Sequence, residues 1–176
     1  MRRFALWLVF LMSNFSFIAP SNAVDLTFSQ PDFDWLANGG SATPYHIWTV
    51  NDYWRQNFVS TGLPSASKLV LDLFVNDAAS ETLNLDVLVN SNNVGSFSLN
   101  PGDSGSSHQF NFSFGSIAGD DYLIEIVAAN TLSPGVSSYS IQIDGPSTAR
   151  LTPEPTSFAL AGLGLIGVAC ARRRRA

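Results

Sequence analysis

Apolar and polar residues alternate with a period of two through most of the chain. In the stretch 68–75, Leu69, Leu71, Leu73 and Val75 share one parity and Asp72 falls on the other. In 82–89, Leu83, Leu85, Val87 and Val89 alternate with Asn84 and Asp86. In 109–114, Phe110, Phe112 and Phe114 alternate with Gln109, Asn111 and Ser113. In 121–129, Tyr122, Ile124, Ile126 and Ala128 oppose Leu123, Glu125 and Val127. In 138–144, Tyr139, Ile141 and Ile143 line one side. Side chains of a strand point alternately to its two faces, so each stretch predicts a half-buried strand. Weaker versions predict strands at 24–28, 47–50, 55–60 and 94–99. No window sustains a 3.6-residue period. Turn chemistry separates the runs: Asn90-Ser91-Asn92-Asn93, Asn100-Pro101-Gly102-Asp103, Gly119-Asp120 and Ser133-Pro134-Gly135. Asn and Gly tolerate left-handed backbone and Pro presets φ, so these segments reverse the chain. About eight or nine short strands with such turns predict an all-β domain, an antiparallel two-sheet β-sandwich or jelly roll.

Both ends break the pattern. Arg2-Arg3, the apolar run Phe4 to Met12 and the small-x-small triplet Ser21-Asn22-Ala23 make residues 1–23 a signal peptide, with cleavage between Ala23 and Val24. At the other end, Pro153-Glu154-Pro155 precedes an apolar run from Phe158 to Ala171 and then Arg172, Arg173, Arg174 and Arg175. The prolines hold the peptide extended and remove donors. The apolar run suits a transmembrane helix, which satisfies its own backbone, and the arginines stop transfer and stay in the cytoplasm. Its fourteen residues make about 21 Å of helix against a hydrocarbon core of about 30 Å. A span this short suits a temporary sorting handle better than a permanent anchor. The chain therefore divides into a signal peptide (1–23), a β-sandwich domain (24–145), a polar stalk (146–152) and a C-terminal sorting segment (153–176).

Setting the ends aside changes the charge. Of the nine basic residues only Arg55, Lys68 and Arg150 lie in residues 24–152, which hold thirteen of the fourteen acids, a net charge of −10. A domain this acidic is repelled by phosphate backbones, which excludes nucleic acid as a partner. The one cysteine, Cys170, is in the tail, so the domain has neither disulfide nor thiol chemistry.

The sequence is poor in catalytic motifs. His46 and His108 lack a nucleophile elbow or a zinc-ligand spacing and read as solvent-facing. Glu81 and Glu125, the two glutamates of the domain, do not resemble the paired carboxylates of a glycosidase cleft. The protein is therefore expected not to be an enzyme. The binding candidates are aromatic: Trp35, Tyr45, Trp48, Tyr53 and Trp54 fall within twenty residues, near Asn38, Asn51 and Asp52. Sugar rings stack on such side chains while Asn and Asp bind hydroxyls; the competing expectation is that these aromatics fill or cap the core.

The ordered set Pro153-Glu154-Pro155, apolar run and arginine cluster resembles the PEP-CTERM sorting signal of Gram-negative bacteria that make exopolysaccharide. The resemblance covers Thr152 to Ala176. It implies recognition by an exosortase, a membrane protease-transpeptidase, with cleavage near Pro153 to Pro155, from an inner-membrane precursor facing the periplasm to the cell surface or matrix. The stretch from Leu69 to Asp144, with its hairpin Leu85-Asp86-Val87-Leu88-Val89-Asn90 and Asn93-Val94-Gly95-Ser96-Phe97, is similar to the jelly-roll domains of many such proteins and, more loosely, to carbohydrate-binding modules. Jelly rolls of this kind often carry a structural calcium, for which Asp120, Asp121 and Asp144 are the candidate ligands, with Asn76, Asp77 and Glu81 in another acidic loop; no other cofactor is expected. Three functions follow: a non-catalytic surface or matrix protein, a carbohydrate-binding module with an aromatic polysaccharide site, and, least favoured, an enzyme.

Overall fold

The computed structural model describes residues 22–37 and 45–153. They form eleven strands: β1 (Val24–Thr27), β2 (Phe33–Leu36), β3 (His46–Ile47), β4 (Tyr53–Phe58), β5 (Ser65–Asp77), β6 (Leu83–Val89), β7 (Asn92–Leu99), β8 (Ser106–Ala118), β9 (Tyr122–Ala128), β10 (Tyr139–Ile141) and β11 (Thr148–Thr152). Among the described residues no helix is long and apolar enough to cross a membrane. The expected signal peptide through residue 21, and the sorting helix from residue 154 on, lie outside the described residues.

Two antiparallel sheets make a sandwich. The first runs β1-β11-β5-β10-β3, with β8 on the other side of β5; the second runs β2-β4-β9-β6-β7. The period-two faces become the core. Leu69, Leu71, Leu73 and Val75 of β5 meet Leu83, Leu85, Val87 and Val89 of β6 and Tyr122, Ile124, Ile126 and Ala128 of β9, all of them at most 1% exposed. Each such aliphatic side chain contributes about 1.5–3 kcal/mol by leaving water. Val89 pairs with Asn92 across Asn90-Ser91, whose φ values of 48° and 63° are those of a type I′ turn. Only Phe112 of the three β8 phenylalanines is fully inside. Phe110 instead stacks on Phe97 of β7, centroids 3.9 Å apart, bridging an edge of each sheet.

The largest departure from expectation is at residues 146–152. They are not a stalk. Thr148–Thr152 is β11, an interior strand held by β1 on one side and β5 on the other. Ala149 and Leu151 are buried, and Ser147, fully enclosed, takes a hydrogen bond on Oγ from the Phe74 amide at 3.1 Å. Arg150 points outward and pairs with Asp25 of β1. The domain therefore extends from Val24 through Thr152. Strand β2 was also unforeseen, and the expected strand at 47–50 shrinks to two residues because the chain turns at Thr49 and Val50.

Tyr139 ties β10 to the second sheet. Its hydroxyl lies 2.9 Å from the Glu81 carbonyl oxygen and 3.2 Å from that of Leu99. Burial, reinforced by Asp103, pushes its phenol up from 10.0 to about 12. An unfolded tyrosine thus releases its proton at lower pH than the folded one. Stability from this group is intact below about pH 10 and falls as pH rises from about 10 to about 12. Denaturant unfolding at stepped alkaline pH, followed beside tyrosine absorbance, checks this. Tyr139→Phe is expected to flatten the decline.

Candidate functional site

The ladder separates the aromatic residues that the sequence clusters. Trp54 is 1% exposed, its indole N–H bonded to the Tyr45 carbonyl oxygen. Trp35 sits opposite it in register, on the same inward face of β2, and packs against the core. Tyr45 meets Phe33 edge to face, centroids 5.5 Å apart. Tyr53, one residue from Trp54, points to the opposite face. There the Arg55 guanidinium lies over its ring, 4.6 Å from the centroid, and bonds Asp34 at 2.8 Å. Burial, then the Asp34 charge, raise the Tyr53 phenol above its ordinary value. Asp34, Arg55 and Glu125 form a row of alternating charge across β2, β4 and β9. That row borders a shallow hollow of about 440 Å³ with Asp32, Asn57 and Leu123. Exposed pairs of this kind contribute about 0–1 kcal/mol.

Trp48 is the member of the set that faces a cleft. It begins the loop from β3 to β4, and the loop from β9 to β10 forms the other wall. The fully buried Asp52 folds the first loop: its Oδ2 accepts from the amides of Trp48 and Thr49, both at 2.9 Å. The second loop is then bonded to the first. The Leu132 amide donates to the Trp48 carbonyl at 2.8 Å, the Asn51 amide to the Ala128 carbonyl at 2.9 Å, and the Val50 amide to Thr131 Oγ1 at 3.0 Å. Ser133-Pro134-Gly135-Val136 closes as a turn with its 3.1 Å amide-to-carbonyl bond, and Gly135 has the φ of 89° that a type II turn needs at this position. The Ser133 amide donates to Glu81 at 2.9 Å and holds that carboxyl below its usual range.

The resulting cleft measures about 410 Å³. Trp48, Leu132 and Val136 supply apolar wall; Thr49, Ser133 and Ser138 supply hydroxyls. Ser138 Oγ is 2.6 Å from His46 Nδ1, and His46 Nε2 is 3.7 Å from Asp77. His46 is therefore half-buried, hydrogen-bonded to Ser138 with Asp77 nearby, rather than solvent-facing; His108, also half-buried, lies 2.9 Å from Ser106 Oγ. The hydroxyls from residues 131–138 are some eighty positions from Trp48 and carry no sequence signal linking them to it.

The acids singled out for calcium have other work. Asp120 Oδ1 accepts from the Gly62 amide and Asp121 Oδ1 from the Ser60 amide, closing the loop after β4. Asp144 Oδ1 accepts from the Gln30 amide on a different loop. Among the described residues no three His, Cys, Asp or Glu side chains come together as a metal site, so the expected grouping of Asp120, Asp121 and Asp144 is not formed.

At the sorting end, Pro153 follows the last paired residue of β11 directly, and Thr152 is still in register with Lys68. Val24, the expected mature N-terminus, pairs with Leu151. Both expected processing points thus border one end of the first sheet. Glu154, Pro155 and Arg172 to Arg175 lie outside the described residues.

No curated protein matches the chain. Among solved structures it is similar to the CBM36-1 domain of a multidomain xylanase from the hindgut metagenome of Trinervitermes trinervoides, at 12% identity over 76% of this chain and 99% of that one, TM-score 0.48. It is also similar to a family 35 carbohydrate-binding module from Clostridium thermocellum, at 11% identity over 75% and 99% of the two chains, TM-score 0.44. The family described as the PEP-CTERM protein-sorting motif matches residues 151–175. That match covers the proline pair, the apolar run and all four arginines, and it marks an exported, surface-directed protein that is a substrate for an exosortase-type enzyme. The chain thus carries a PEP-CTERM protein-sorting motif at residues 151–175, beginning on the last two residues of β11.

Proposed function

We propose that this is a non-catalytic protein of the cell surface or extracellular matrix, made as a precursor held in the inner membrane by its C-terminal segment and delivered by processing there. The observation that carries the reading is the sorting motif at residues 151–175, joined without a linker to a folded acidic sandwich. The precursor enters export through residues 1–23. The apolar run and Arg172 to Arg175 then hold it, and the periplasm-facing domain is released when the tail is cut. Nothing in this sequence of events asks the domain for a reaction.

Surface labelling tests delivery. With a membrane-impermeant reagent on intact cells, the full chain is expected to label and a chain lacking residues 154–176 to stay unlabelled inside the outer membrane. Equal labelling of the two would contradict the role of the tail.

A second reading, a polysaccharide-binding module, is favoured by the cleft beside Trp48. An apolar wall with a few fixed hydroxyls is the usual make-up of a small-ligand site, and the volume falls in the range of such sites, about 300–1,000 Å³.

A further inference from the structure

We infer that the Trp48 cleft binds a neutral saccharide and rejects uronic-acid polymers. This rests on the polysaccharide-binding reading and adds the ligand class and the basis of selection. The lining chemistry gives the first half of the argument. A pyranose has an apolar face of C–H groups and a rim of hydroxyls. Trp48 and Val136 match the first, and the hydroxyls of Thr49, Ser133 and Ser138 match the second. Ser138 Oγ is oriented by its 2.6 Å contact with His46. Both walls are fixed by the bonds of Trp48 and Val50 to the loop between β9 and β10, by that of Asn51 to the end of β9, and by Asp52 beneath them. Little ordering is left to do when a ligand arrives, and pre-organisation of this kind raises affinity.

Charge gives the second half. No residue lining the cleft carries a formal charge. Carboxylates stand behind it on two sides: Glu81 on the Ser133 amide and Asp77 near His46. Residues 24–152 as a whole carry ten more acids than bases. The lysine and arginines of the described residues are elsewhere, Arg55 held by Asp34 and Arg150 by Asp25, while Lys68 lies on β5 opposite Thr152; His46, behind Ser138, is neutral at alkaline pH and faces Asp77. A carboxylated sugar entering here would meet repulsion and find no lysine or arginine to pair with, whereas a neutral ring loses nothing.

The test uses the full chain in a detergent without a sugar headgroup. Tryptophan fluorescence and calorimetry would be read against neutral hexaoses of glucose, xylose and mannose and against hexagalacturonate. At least one neutral hexaose is expected to bind, and hexagalacturonate at least about tenfold more weakly at low salt, with the gap narrowing as salt is added. Trp48→Ala is expected to weaken neutral binding by about tenfold or more while Trp48→Phe keeps most of it. If Trp48→Ala fails to fold, Ser133→Trp, which fills the cleft from its exposed rim, is expected to give the same loss. Neutral binding that survives both Trp48→Ala and Ser133→Trp overturns the location, leaving the module reading intact. Hexagalacturonate binding as tightly as the neutral sugars overturns the selection. Absence of all neutral binding overturns this inference and the polysaccharide-binding reading together, and leaves the sorting reading untouched.

Discussion

A chain ending at Pro146 is expected not to fold, whereas one ending at Pro153 is expected to melt within a few degrees of the domain in the full chain. Of the six residues between, Thr148–Thr152 form an interior strand of the first sheet. Without them β1 loses its partner, since Val24 to Thr27 pair only with β11, and β5 loses the ladder along Lys68 to Asp72. The core loses Leu151 and Ala149, and the Phe74 amide loses its acceptor on Ser147. A buried leucine alone contributes about 2–5 kcal/mol, and an orphaned buried amide costs about 1–3 kcal/mol. Those terms, with two broken ladders, match the whole stability of a typical domain, about 5–15 kcal/mol. Circular dichroism melts of the two fragments decide it. A cooperative transition in the fragment ending at Pro146 would show that residues 147–152 are dispensable, as a stalk would be.

Trp54→Ala is expected to cost about 3–5 kcal/mol, lowering the melting temperature by about 10–20 °C. The side chain is among the largest fully buried ones, between β2 and β9, and its loss also strips the Tyr45 carbonyl oxygen of its donor. The same change at half-buried Trp48 removes cleft wall rather than core and is expected to cost about 1–2 kcal/mol. Equal losses at the two positions, read from denaturant unfolding, would contradict their assignment to core and cleft.

What could be read in advance follows from how far each residue's role depends on its neighbours in sequence. Strands β5, β6 and β9 were legible because their alternation is long and their inward residues are large. β11 was not: Thr148-Ala149-Arg150-Leu151-Thr152 offers only two inward residues, one of them alanine, between Pro146 and Pro153, and such a run resembles a polar connector until β1 and β5 are set on either side. The aromatic set misled for a related reason. Proximity in sequence suggested a common site, but neighbours on a strand face opposite ways, so Tyr53 and Trp54 cannot share one. The acids of Gly119-Asp120-Asp121 looked like metal ligands because a loop carboxylate that caps amides and one that binds an ion have the same sequence appearance. The cleft beside Trp48 was only half visible, its hydroxyl wall arriving from a loop some eighty residues later. The sorting motif was legible in full, since its signature is the local order of proline, apolar and arginine residues.

Continuity of β11 with that motif gives the proposed function its sharpest form: we propose that the tail is removed and that the fold limits where. Leu151 and Thr152 belong to the match and also to the sheet, so an enzyme acting on the folded precursor finds its first unpaired residue at Pro153. The intact mass of the protein recovered from a host that processes PEP-CTERM substrates tests this most directly. The expected species begins at Val24, ends at or beyond Pro153 and lacks Arg172 to Arg175. A mature chain that keeps the four arginines, or one cut within Thr148–Thr152, would contradict the account.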